Sequence, residues 1–129
     1  MWPFKKKKID PLAQFKEDVE KLEKISDNAT LWSVGFGGWI SEDFCKQFVD
    51  QYLICRQRHG EHFIHLVNRV YIPLWKQNAD EWKKNTRIMY MLFANNQLAT
   101  LLRDTHKCPE IDDISKYLST AAKQAREVK

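Results

Sequence analysis

Cysteine and histidine gather in one stretch of the chain: Cys55, His59, His62 and His65 fall within eleven residues, and His106 and Cys108 lie close together later. Thiolates and imidazoles at such density bind zinc when four of them converge tetrahedrally. The spacing fits no short zinc motif. In Glu61-His62-Phe63-Ile64-His65 the glutamate precedes the first histidine, whereas the zinc-protease helix places it after. Gly60 also interrupts the helix, so the ligands need not share a face. Cys55 reads as a core thiol, and His62 and His65 as solvated side chains. No metal and no cofactor is expected.

Covalent or acid–base chemistry has no local signature either. A nucleophile needs a base and a third, orienting group, and no spacing suggests one. Asp112-Asp113 reads as a helix cap, not a carboxylate dyad. Gly35-Phe36-Gly37-Gly38 lacks the Lys-Ser/Thr of a phosphate-binding loop and the strand–turn–helix setting of a dinucleotide fingerprint. The chain is not expected to be an enzyme.

Three other groups of residues are candidates for binding. Trp32, Phe36 and Trp39 sit in a glycine-rich stretch, and exposed loop aromatics are typical anchors for protein partners. Against this, the same rings would fill the end of a small bundle if the loop folded over it. Arg69, Lys76 and Lys83 recur at seven-residue intervals, with Lys84 and Arg87 nearby, and such a row suits a phosphate backbone or an acidic partner. Asp80 interrupts it, which favours a solvated face. At the N-terminus, Trp2 and Phe4 beside Lys5, Lys6, Lys7 and Lys8 suit the surface of an anionic membrane. A flexible basic tail over residues 1–8 is the plainer reading.

The elements that must position these residues are helices. Asp10-Pro11 is a helix start, and Leu12, Phe15, Val19, Leu22 and Ile25 follow at spacings of three and four, ending near Asp27-Asn28. Residues 29–40 hold three of the four glycines and are expected to form a loop. Ser41 caps a second helix with an apolar stripe of Phe44, Phe48, Tyr52 and Cys55, closed by His59-Gly60.

From Glu61 to Lys84 runs a long amphipathic segment. At helical spacing, Phe63, Val67, Val70, Tyr71, Leu74, Trp75 and Trp82 form one apolar arc. His62, His65, Arg69, Lys76 and Lys83 fall together opposite it. Pro73 predicts a kink within a continuous helix. A fourth helix from Arg87 to about His106 begins apolar all the way round, which places it at the centre. A fifth, capped by Asp112 or Asp113, carries Ile114, Tyr117, Leu118, Ala121 and Ala125 on one side.

The pattern predicts an all-α fold: a compact bundle of about five mostly antiparallel helices over residues 9–129, with the fourth helix central. The 129 residues are one domain by length, and 29% charged residues with four Gly and four Pro is an ordinary globular composition. Three cysteines form no even framework and read as reduced thiols, so a cytoplasmic setting is expected. Charge is uneven. Residues 9–65 hold six Lys/Arg against ten Asp/Glu, and residues 66–129 hold eleven against seven. That alternation argues against one uniform nucleic-acid face. The function expected is a non-catalytic protein-binding module, such as a small bacterial or phage accessory, inhibitor or immunity-type protein. Nucleic-acid binding through the basic row and peripheral membrane attachment through residues 1–8 are the alternatives.

Overall fold

The computed structural model describes residues 10–128, and these are helical almost throughout, with no strand among them. The helices are α1 (Pro11–Gly35), α2 (Glu42–His59), α3 (Glu61–Leu66), α4 (Ile72–Glu81), α5 (Thr86–Asp104) and α6 (Asp112–Glu127). A π-helical turn, Val67–Tyr71, joins α3 to α4, and a 3₁₀ turn, Trp82–Lys84, extends α4, so Glu61–Lys84 is one unbroken helical rod. Counted by rods, the molecule is the five-helix bundle that the sequence predicts. The tail over residues 1–8 lies outside the described residues.

The starts follow from capping chemistry. The Asp10 carboxylate accepts from the Leu12 amide at 3.1 Å with Pro11 as first helical residue. Ser41 Oγ accepts from Phe44 N, and Asn85 Oδ1 accepts from Ile88 N. Each satisfies an amide that the helix itself leaves unpaired. The sixth helix departs from expectation: neither Asp112 nor Asp113 is its cap. A 3₁₀ turn, Pro109–Ile111, feeds directly into α6, Ile111 occupies the cap position, and the two aspartates stand in the first turn. There they still complement the helix dipole.

One further boundary and one register differ. The first helix does not end near Asp27-Asn28 but continues to Gly35, so the irregular segment shrinks from 29–40 to residues 36–41. Ala29 and Ser33, both fully buried, supply the inward face of the extra turns, and Ser33 Oγ donates to the Thr30 carbonyl. Tertiary burial overrides the weak helix propensity of Thr30, Ser33 and Val34.

The second is the apolar arc of the long rod. Phe63, Val67, Trp75 and Ala79 are buried and Tyr71 is half-buried, whereas Val70 and Leu74 are exposed. The inward row therefore repeats every four residues. In an α-helix each step of four drifts by about 40°. The π turn, whose Ile72 amide reaches back to the Val67 carbonyl, packs more residues into a turn and cancels part of that drift. It ends two residues before Pro73, whose missing N–H is the donor a regular ladder would need there.

Helix α5 is central, packing on α1, α2, α4 and α6. Leu92, Phe93, Ala94, Leu98, Ala99 and Leu102 are its buried apolar residues, with Asn95 buried among them, while the predicted all-round apolar start, Ile88–Met91, is half-buried. Polar clasps fix the layers. Asp18 on α1 receives Gln14, Arg58 and His59, the last at 2.7 Å. Glu110 takes the Tyr52 hydroxyl and a two-point Arg56 contact at 2.8 and 3.2 Å, tying the α5–α6 connection to α2. No helix among the described residues is long and apolar enough to cross a membrane.

Candidate functional site

The last turns of α1 and the short loop after it build an aromatic surface. Trp32 and Phe36 are four residues apart, so on a continuous helix they share a face. Their rings stack with centroids 4.5 Å apart, and Phe44 of α2 tilts against Trp32 at 5.5 Å. Trp39 projects from the loop. Trp32, Phe36 and Trp39 are 40%, 57% and 55% exposed, and Leu31 beside them is 70% exposed. The alternative in which these rings fill the end of the bundle is not what the fold does; Ile40 and Ser33, both buried, close that end.

The loop presenting Trp39 is held from below. The Gln97 side chain pairs with both polar groups of Ile40, accepting from its amide at 2.9 Å and donating to its carbonyl at 2.8 Å. Gly38 sits at φ +91° against Phe93, where an added Cβ would lie 2.8 Å from a ring carbon. Only glycine meets both demands, the left-handed backbone and the close approach. Rigid support under exposed rings lowers the entropy that a partner must remove on binding. Beside Trp39 opens a groove of about 1110 Å³, lined among others by Glu42, Lys46, Val49, Thr100, Leu101 and His106. Its charges are mixed in sign.

The cysteine and histidine candidates do not converge. Cys55 is fully buried, and its thiol is directed to the Asp18 backbone carbonyl at 3.5 Å. Burial, with the Asp18 charge adding, pushes that thiol up to about 11, the reverse of an activated nucleophile. His59 is occupied by the Asp18 carboxylate, with Phe15 edge-on to its ring at 5.0 Å. His62 and His65 are exposed on α3, and Cys108 is buried within the α5–α6 connection. Among the described residues no three of His, Cys, Asp or Glu are grouped to hold a metal ion. Asp18 itself is held below the ordinary carboxylate value of 3.8: burial opposes the charge, but hydrogen bonds from His59, Gln14 and Arg58 outweigh it. Asp18, His59 and Arg58 form a structural clasp between α1 and α2.

The cationic row does not survive as a row. The π turn rotates everything after it relative to α3. Arg69, within the turn, stays with His62 and His65 on the α1 side, lining a groove with Leu12 and Phe15 and lying 3.4 Å from His65. Lys76 and Lys83 face α6: Lys76 lies 5.4 Å over the Tyr117 ring, and Lys83 lines the cleft with Lys116 while lying 5.6 Å from the Trp82 ring. Asp80 accepts from the Tyr117 hydroxyl in the same place. Tyr117, expected on the inward stripe of the last helix, is exposed and serves this polar contact. Trp2, Phe4 and Lys5–Lys8 lie outside the described residues.

Sequence reasoning passed over Leu31, which it left in a loop, and the Gln97–Ile40 clamp, a pairing across 57 positions with no local signal. The i, i+4 spacing of Trp32 and Phe36 was the one available hint that the helix continues. Comparison of the chain with models of protein families, with curated proteins and with solved structures finds no match to any of them.

Proposed function

We propose that this protein is a non-catalytic protein-binding module whose contact surface is Trp32, Phe36 and Trp39 with Leu31 at their side. One observation carries the reading: Trp32 and Phe36, stacked on each other, and Trp39, on a loop fixed from beneath, all stand exposed within eight residues where α1 ends, with Leu31 exposed in the same helical turn. Aromatic clusters of this kind are the usual energetic centres of interfaces, and a single truncation at such a centre costs about 2 kcal/mol or more. A small cytoplasmic accessory, inhibitor or immunity-type protein of a bacterium or phage is the role this fits. The separation of Arg69 from Lys76 and Lys83 weakens the motive for a nucleic-acid stripe, because phosphate tracking needs adjacent cations.

The test is a photo-crosslinking amino acid at Phe36, used in the native host, followed by affinity measurement with the captured protein. Trp32→Ala and Trp39→Ala should each weaken binding by at least about tenfold while helicity by circular dichroism is unchanged. Undiminished affinity in both variants, with the fold intact, would sink the proposal.

A further inference from the structure

A second surface, along the groove between the long rod and α1, is complementary to itself. The long rod runs beside α1 with a groove between them, in two lobes of about 640 and 320 Å³ that share Val70. One lobe is bordered by His62, His65, Arg69 and by Arg58, which is already paired with Asp18; the other by Ser26, Asp27 and by Glu23, which accepts from the Tyr71 hydroxyl. Between these ends stand Val70 and Leu74, 46% and 51% exposed, four residues apart on one helix face. They are apolar residues that the π turn swings out of the core, and about half of each stays uncovered by the described chain.

We propose that this face pairs with a second copy of the chain about a two-fold axis midway between Val70 and Leu74. The two rods then run antiparallel, so that Val70 packs against the partner subunit's Leu74 and Arg69 meets the partner subunit's Asp27. The argument for a second copy is charge. Arg69 is exposed and has no carboxylate partner among the described residues, and Asp27 is likewise exposed without a cation. Arg69 and Leu74, which marks the Asp27 end, are separated by about 8 Å along the helix. A uniformly anionic or cationic partner would be attracted by one end and repelled by the other. An identical face turned through 180° satisfies both ends at once, which is the condition for an isologous dimer.

Sedimentation equilibrium of the full chain over a range of concentrations tests this. A reversible dimer is expected. Leu74→Glu should abolish it, and Arg69→Asp or Asp27→Lys should each weaken it about tenfold or more. The combined variant Arg69→Asp with Asp27→Lys should recover most of the affinity, because the pairing is restored with its signs exchanged. Circular dichroism and dilute-solution unfolding check that each variant is folded. A monomer up to the solubility limit overturns the proposal, as does a dimer indifferent to Leu74→Glu. A double variant no tighter than the singles overturns the charge pairing. A dimer broken by Trp32→Ala instead would assign self-association to the aromatic surface and equally refute it.

Discussion

Gly38 shows how one residue can decide whether a candidate site exists. Its left-handed backbone and its contact with Phe93 let the loop turn tightly enough for Gln97 to hold Ile40 and for Trp39 to face outward. Gly37 shares the positive φ, at +71°, but has open space where a Cβ would be. The two therefore separate backbone strain from steric conflict. Gly38→Ala should cost about 2–4 kcal/mol, and Gly37→Ala only about 1–2, in urea unfolding followed by circular dichroism. Equal losses would show that the Phe93 contact relaxes freely. The sequence marked this stretch as special through its glycines. It carried no sign of which glycine was pressed against a ring, because Phe93 lies 55 positions away.

At the scale of elements, the long rod is the informative case. Its amphipathic pattern was legible, and the segment is helical from Glu61 to Lys84 as expected. Its register was not, since a strict 3.6-residue projection puts Val70 and Leu74 inward and the cations in one line. The π turn changes both, and the period-four row Phe63, Val67, Tyr71, Trp75, Ala79 is its trace in the sequence. Pro73 marked the place where the regular ladder is distorted, and the distortion includes a π turn just before it. The register can be checked by paired truncations measured at concentrations too low for copies to associate. Val67→Ala should cost about 2 kcal/mol through lost burial and a residual cavity, while Val70→Ala should change stability by under about 0.5 kcal/mol. The reverse ranking would mean that the rod is a regular α-helix.

For the molecule as a whole, the clasp at Asp18 couples stability to pH. Its carboxylate is ionised more readily in the folded chain than at the ordinary value of 3.8. The unfolded chain therefore takes up the proton first as pH falls. The clasp's contribution is complete above about the unfolded value and is lost as pH drops through the lower, folded one. Asp18→Asn should flatten the acid limb of the stability–pH curve below about pH 4, besides lowering stability at neutral pH by weakening the bonds from Arg58 and His59. Urea midpoints between acid and neutral pH give the comparison; parallel curves for the two proteins would place the acid sensitivity elsewhere.

The sequence by itself determined the helical class, the five rods, the caps at Asp10 and Ser41, and the central place of the fourth of those rods. These depend on local propensity, capping and apolar periodicity, which are written within a few turns of chain. Only the tertiary structure decided where α1 ends, which face of the long rod is inward, and whether the aromatic rings are covered. Each of those outcomes turns on burial against residues far away in the chain: Ser33 at the closed end of the bundle, the period-four row against the core, Gly38 against Phe93. Burial is a property of the packed whole, so the chain's candidate surfaces became visible only when the helices met.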